Sequence, residues 1–291
     1  MKNKKLFNLY LLVIVLFLFA QSTAAEEPLQ IEKVAGNVYC LYGPGGNMGI
    51  LKTGSGLLLI DSKVNHSTEA VLKKIKSFSP APITHMILTH YHWDHTDGAK
   101  TIAKGAVSIC HENCKETLIR RAKKTNQDYI ATIKTFDKIQ KLQVGKEKIT
   151  LLHLGPGHTS GDTIVIFETS GVIHSGDLFF HGMPPYIDVK EGSDTLNWIR
   201  IIETLSKKYP DYKIIPGHGK ITGMKNYLYF ADYLKYLRKE VSAGIKAGKD
   251  AGAIMKENKL DGFKKIKDKG FFTTRKNNIL WMYQELTRKK K

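Results

Sequence analysis

The sequence predicts an α/β fold. Short apolar, strand-like runs alternate with stretches of helical spacing through two halves of the chain. In four places a strand-like run ends at a histidine or an aspartate, three of them beside glycine, the way sheet folds gather a site along one edge. The 291 residues suffice for one large domain with a sizeable core.

In chain order, residues 1–25 stand apart. Lys2, Lys4 and Lys5 form a basic start, residues 6–20 are almost wholly apolar, and Ser22-Thr23-Ala24-Ala25 supplies small residues for cleavage. This is the pattern of a secretory signal peptide. Its apolar run is short of the roughly 20 residues a membrane span needs. The expectation is an exported chain, periplasmic or secreted, with no transmembrane span once mature. Residues 26–225 then read as the main domain. Strands at 37–41 and 49–53 flank a glycine-rich turn at 43–46, which with Asn47 and Met48 is expected to overhang the site as a mobile flap. Residues 56–61 are the next strand. Val71, Leu72, Ile75 and Phe78 share one face of a helix over 68–78, which Pro80 and Pro82 stop. A buried strand spans 83–89. Residues 112–124 read as a helix with an exposed basic end, and 125–134 as a polar insertion or lid-like connection. Strands recur at 149–154, 171–174 and 212–215. A helix starts near Ser193 with Ile201, Ile202 and Leu205 on its buried face. Residues 226–291 are a basic helical C-terminal extension packing on the domain, its first helix running over 224–246.

The net charge of +18 is unevenly spread. The C-terminal extension holds 17 Lys and Arg against 7 Asp and Glu, so the surplus is largely a lysine-rich solvated face. It lacks the aromatic interleaving of a nucleic-acid platform, and export also argues against nucleic acid as a partner. Cys40, Cys110 and Cys114 complete no metal motif and are expected to be buried as small hydrophobes.

The densest chemistry is His90-Tyr91-His92-Trp93-Asp94-His95, three imidazoles and a carboxylate in six residues. Such a cluster suits a divalent transition metal, zinc above all, with iron or manganese as alternatives. In extended chain His90 and His92 point the same way, Asp94 keeps that alternation, and His95 points elsewhere. One ion can take the first pair and a second Asp94 and His95, as in two-metal centres with ions about 3.5–4 Å apart. More ligands are available at three further strand ends: His158 in Gly155-Pro156-Gly157-His158, Asp177 in Ser175-Gly176-Asp177, and His218 in Pro216-Gly217-His218-Gly219. Of the other histidines, His85, His153 and His174 read as structural, His66 as near a helix cap, and His111 as surface.

With Gly56-Leu57-Leu58-Leu59-Ile60-Asp61 ahead of the HxHxDH loop, and histidine, aspartate and histidine following in order, the chain resembles the metallo-β-lactamase superfamily over about residues 34–222. The resemblance implies a four-layer αββα sandwich. It implies His90, His92 and His158 on a first metal, Asp94, His95 and His218 on a second, and Asp177 bridging them. Asp61 would fix the metal-binding loops without being a ligand. It also implies a hydrolase in which a metal-bridged hydroxide opens an amide, lactone or thioester carbonyl of a small-molecule substrate, with Asp94 and Asp177 as catalytic residues.

A β-lactamase-like activity fits export best. However, the chain has Asp177 where the best-known lactamase subclass has cysteine, and Leu178-Phe179-Phe180 lacks that subclass's substrate-anchoring lysine. Lactonase or thioesterase action is the alternative. A mononuclear iron persulfide dioxygenase and a catalytically silent metal-binding protein stand further off. The apolar, proline-bearing run 179–188 reads as a wall of the substrate cleft, with Phe179, His181, Tyr186, Asn47 and Met48 lining it.

Overall fold

The computed structural model describes residues 28–121, 124–257, 260–269 and 273–288. The expected signal peptide, residues 1–25, and the last three lysines lie outside them. Two sheets face each other. The first holds β1 (Gln30–Ala35), β2 (Val38–Tyr42), β3 (Met48–Lys52), β4 (Leu57–Ile60), β5 (Ile83–Ile87), β6 (Val107–His111) and β7 (Lys134–Phe136) in chain order. The second runs β13 (Thr222–Gly223), β12 (Lys213–His218), β11 (Val172–Phe180), β10 (Ile164–Phe167), β9 (Glu147–Leu152), β8 (Ile139–Val144). Within the first sheet β1 to β4 pair antiparallel, and β4 to β7 pair parallel across helical crossovers.

Strand alternation explains the layering. Along β4, Leu57 and Leu59 face the helical layer while Leu58 and Ile60 face the opposite sheet. Along β10, Ile164 and Ile166 face outward to helices while Val165 and Phe167 point inward. Strands so apolar on both faces need cover on both, and helices supply it. On the first sheet lie α1 (Thr68–Phe78), the single turns α2 (Trp93–Thr96) and α3 (Ala99–Ile102), α4 (Glu112–Arg121) and α5 (Gln127–Thr132). On the second lie α6 (Thr195–Lys208), α7 (Met224–Lys246), α8 (Ala251–Glu257) and α9 (Arg275–Thr287). The expected αββα sandwich is the observed one. The C-terminal helices share a hydrophobic cluster with β11 and α6, through Tyr227, Phe230, Leu234, Ile279 and Met282 against Ile173, Phe179, Trp198 and Ile202.

Four expectations are corrected. Residues 125–134 are not a lid: α5 and β7 fill them, Ile130 and Ile133 are buried, and β7 extends the sheet beside β6. His111 is not at the surface. It ends β6, is 3% exposed, and stacks on His153 with ring centroids 3.7 Å apart. The strand expected at 171–174 runs on to Phe180, and that at 212–215 to His218, so Asp177 and His218 lie within strands. The turn at 43–46 is tied down: buried Lys63 donates its Nζ to the carbonyls of Gly43 and Gly46, and the Gly46 and Asn47 amides bond to Asp94 O and Gly217 O. As expected, all three cysteines are buried, and none is paired with another.

Candidate metal centre

The ends of β5, β11 and β12 and the β9–β10 loop converge. Their donors form two groups, His90 with His92, His158 and Asp177, and Asp94 with His95 and His218. In the first, His158 Nε2 lies 2.9 Å from His92 Nδ1 and 3.4 Å from Asp177 Oδ2, and His90 Nε2 lies 3.6 Å from the same oxygen. In the second, His218 Nε2 is 3.2 Å from Asp94 Oδ2, and His95 Nε2 is 3.6 Å from it. The other Asp177 oxygen, Oδ1, sits 3.1 Å from His95 Nε2 and 3.5 Å from His218 Nε2. Each carboxylate oxygen of Asp177 therefore faces one group.

These spacings suit a metal. Donors bonded to zinc at about 2.0–2.1 Å in a tetrahedron stand roughly 3.3 Å apart. His90 Nε2 is buried without a hydrogen-bond partner among the described residues, which is costly unless an ion takes it. The outer face of each first-group imidazole is already engaged, which leaves the inner nitrogen free as a ligand. His90 Nδ1 meets Thr89 Oγ1, His158 Nδ1 donates to Tyr186 O at 2.9 Å, and His92 Nε2 donates to Asp188 Oδ2 at 3.0 Å. In the second group His95 Nδ1 donates to Asp61 Oδ2 at 2.7 Å.

Asp61 joins neither group. Its oxygens accept from the Thr89 amide and hydroxyl as well as from His95, so it ties the β4 end to the β5 end. It holds a left-handed backbone, φ 63°, uncommon for a side-chain-bearing residue. The backbone of the metal loop departs from the extended reading. At Trp93 it turns into the single helical turn α2, and this turn, not strand alternation, aims Asp94 and His95.

Two glycines are required by close approach. A Cβ on Gly217 would lie 1.9 Å from Asp177 Oδ1, and one on Gly46 2.1 Å from the His95 ring. The cluster's charges are coupled. Burial disfavours the charged form of His218, but Asp177 and Asp94 outweigh it and hold the imidazole at about 9. Burial likewise pushes Asp94 up, yet His95 and His218 bring it to about 2. Burial holds His158 down at about 4 and His90 well below its ordinary value.

The profile of the metallo-beta-lactamase superfamily matches residues 41–218. The chain belongs to the metallo-beta-lactamase superfamily. It is 22% identical over 188 residues to a type 2 metallo-beta-lactamase of Bacillus cereus, covering 64% of this chain and 72% of that one. It is 25% identical over 234 residues to the metallo-beta-lactamase IND-1 of Chryseobacterium indologenes, covering 76% and 94%. Among solved structures, a metallo-beta-lactamase from Pontibacter korlensis superposes with TM-score 0.63 at 20% identity, covering 72% of this chain and 99% of that one. A sec-alkylsulfatase from Pseudomonas sp. superposes with TM-score 0.67 at 16% identity, covering 89% and 50%. The chain thus has a metallo-hydrolase fold of this superfamily with a His/Asp metal-binding cluster.

Over the cluster of this metallo-beta-lactamase fold opens a cavity of about 790 Å³. Tyr186 and Asn47 line it as expected, and Asn47 Nδ2 is fixed on Pro216 O and Gly219 O. Phe179, Met48 and His181 do not. Alternation along β11 turns Phe179 into the helical layer, where it stacks on Tyr227, and presents Phe180 to the cavity instead. Met48 is a core residue of β3 beside Leu41 and Ile50. His181 donates Nδ1 to Lys220 O and braces the turn after His218.

Sequence reading missed Asp188, which sits 11 residues past Asp177 with no motif around it. Its carboxylate holds His92 and accepts from the Tyr91 hydroxyl. It also missed the cavity's cations Arg121, Lys220 and Lys269, and the indole of Trp93, 61% exposed at the rim. Lysines carry no periodicity that betrays them. Trp93, lodged between ligands, was the readable one.

Proposed function

We propose that the chain is an exported dinuclear zinc hydrolase acting on a small-molecule carbonyl substrate, with a β-lactam amide the leading case and lactone or thioester next. The observation that carries this is the meeting of two complete donor groups at the two oxygens of Asp177. His90, His92 and His158 would hold one ion, Asp94, His95 and His218 the other, and Asp177 both. Bound there, a pair of divalent ions supplies a water of low pKa as nucleophile and polarises the carbonyl. The protein's part is to fix the ligands through Asp61, Thr89, Tyr186 and Asp188, and to enclose the substrate between the loop at 43–46 and Phe180, Met183 and Tyr186. Lys220, held 4.0 Å over the Tyr42 ring, with Arg121 and Lys269, suits a substrate that carries an anionic group. The complete second group favours two ions over the single iron of a persulfide dioxygenase. Export rests on the pattern of residues 1–25.

The likeness to the sec-alkylsulfatase, which extends over more of this chain than the likeness to the Pontibacter lactamase, supports a second reading, hydrolysis of an alkyl sulfate ester. The test is turnover by purified, zinc-loaded protein of a cephalosporin, a homoserine lactone, a thioester, a phosphodiester and a secondary alkyl sulfate. Turnover of the cephalosporin, abolished by chelation, is the expected result. Turnover of the sulfate alone would transfer the assignment to the second reading, and turnover of none would leave a metal-binding protein.

A further inference from the structure

The family match ends at residue 218, yet the helices beyond it grip the site. The stretch from Gly182 to Thr195 carries both Tyr186 O and Asp188, the outer partners of His158 and His92. The C-terminal segment clamps this stretch along its length. The Lys267 amide donates to Gly182 O. Asn278, fully buried, donates Nδ2 to Pro185 O at 2.6 Å while its Oδ1 accepts from the Tyr233 hydroxyl at 2.8 Å. The Trp281 ring meets the Tyr186 ring edge-on at 4.8 Å. Glu285 accepts from Ser193 and from the Thr195 amide and hydroxyl, and is itself held by Arg238 at 2.9 Å. Arg288 donates to the carbonyls of Val189 and Ser193.

Among the described residues the C-terminal segment makes no hydrogen bond to the side-chain partners of the second group. His95 and His218 are fixed by Asp61, by the metal loop and by β12, all within the matched segment. We infer that α9 is a splint for the first metal group alone, with Asn278 and Trp281 as positioning residues that act on His158 and His92 through the Pro185–Asp188 backbone and the Asp188 carboxylate. The physical basis is that an imidazole ligand binds well only while its outer nitrogen is held in place, and loss of such support costs about 10–100-fold in metal affinity. The inference rests on the proposed two-ion reading and deepens it.

The test is zinc competition against a chromophoric chelator on the full-length chain, with the two affinities assigned by His158→Ala and His218→Ala. Asn278→Ala and Trp281→Ala are compared with Trp281→Phe, which keeps an aromatic edge contact. They are also compared with Leu237→Ala, a cavity in α7 within the same hydrophobic cluster that removes no hydrogen bond or ring contact to residues 182–195. Thermal denaturation checks that all four fold. The expected result is a tenfold or greater loss of affinity at the first group in Asn278→Ala and Trp281→Ala, a second-group affinity within about twofold of wild type, substantial rescue in Trp281→Phe, and no selective loss in Leu237→Ala. Equal losses at both groups, losses no larger than those of Leu237→Ala, or unchanged affinities would overturn the inference. A wild-type chain that binds one ion at the first group and loses it in these variants would keep the splint and remove the two-ion reading. A chain that binds no ion would remove both.

Discussion

At the scale of single residues, the centre is a balance of opposite charges held close together. His95 and His218 are held protonated by the carboxylates they face, while the first-group imidazoles His90 and His158 are held neutral by burial. Ligands bind metal only after losing their protons. Zinc uptake at pH 7 is therefore expected to release protons, and affinity to rise as pH climbs toward 9, where His218 gives up its proton unaided. Titration of zinc into weakly buffered protein with a pH indicator measures the release, and uptake with no proton released would contradict the assigned charges. Asp94 is half of the second group's electrostatics. Asp94→Ala is expected to lose more than about a hundredfold in turnover, beyond what outer partners of a metal site command, with the circular dichroism of the fold retained. Near-normal turnover would remove Asp94 from the mechanism. The seven side chains that the fold gathers were legible in the sequence, four by their density in one loop and three by the glycines beside them. Asp188 and Lys63 were not: an outer partner is defined only by the atom it reaches across the fold.

At the scale of elements, the strands decide what faces the cavity. Sequence reading ended β11 at His174, so Phe179 looked like a loop residue over the site. The strand continues to Phe180, and alternation exchanges the two phenylalanines. The misreading of residues 125–134 has the same origin. Polar residues on the open side of α5 hid Ile130 on its buried side and Ile133 just past its end. β1, at the edge of its sheet and mostly exposed, gave no apolar run to find. The metal loop shows what a single helical turn adds, since α2 is what separates Asp94 and His95 from the His90–His92 pair. The loop at 43–46 approaches that turn so closely that Gly46→Ala is expected to displace either the loop or the His95 ring. Zinc affinity at the second group should fall by tenfold or more, with a stability cost of about 1–3 kcal/mol, the range for overpacking. Gly54→Ala, whose Cβ would meet nothing within 4 Å, is the control and should bind zinc as wild type does.

At the scale of the molecule, the fold buries imidazoles away from the centre as well. Burial holds His111, stacked on His153, at about 4, and likewise His174 inside β11 at about 4. Their folded values lie below the unfolded value near 6.5, so the unfolded chain takes up protons that the folded chain refuses. The stability they protect is present above pH 6.5, is lost as pH falls toward about 4, and levels off below. Urea denaturation of metal-free protein between pH 7 and pH 4 should show this loss, and His111→Asn should flatten the slope. An unchanged slope would remove His111 as a contributor. Two halves of unlike sequence thus share one interior, and each also contributes to the site at its edge. Among the described residues no helix is long and apolar enough to cross a membrane.

Seven side chains are proposed to hold two metal ions that meet at Asp177. Elemental analysis of zinc-loaded wild type, His158→Ala and His218→Ala tests this most directly. Two zinc ions per chain are expected in the wild type and one in each variant. A single iron per chain, or zinc content unchanged in His218→Ala, would contradict the proposal.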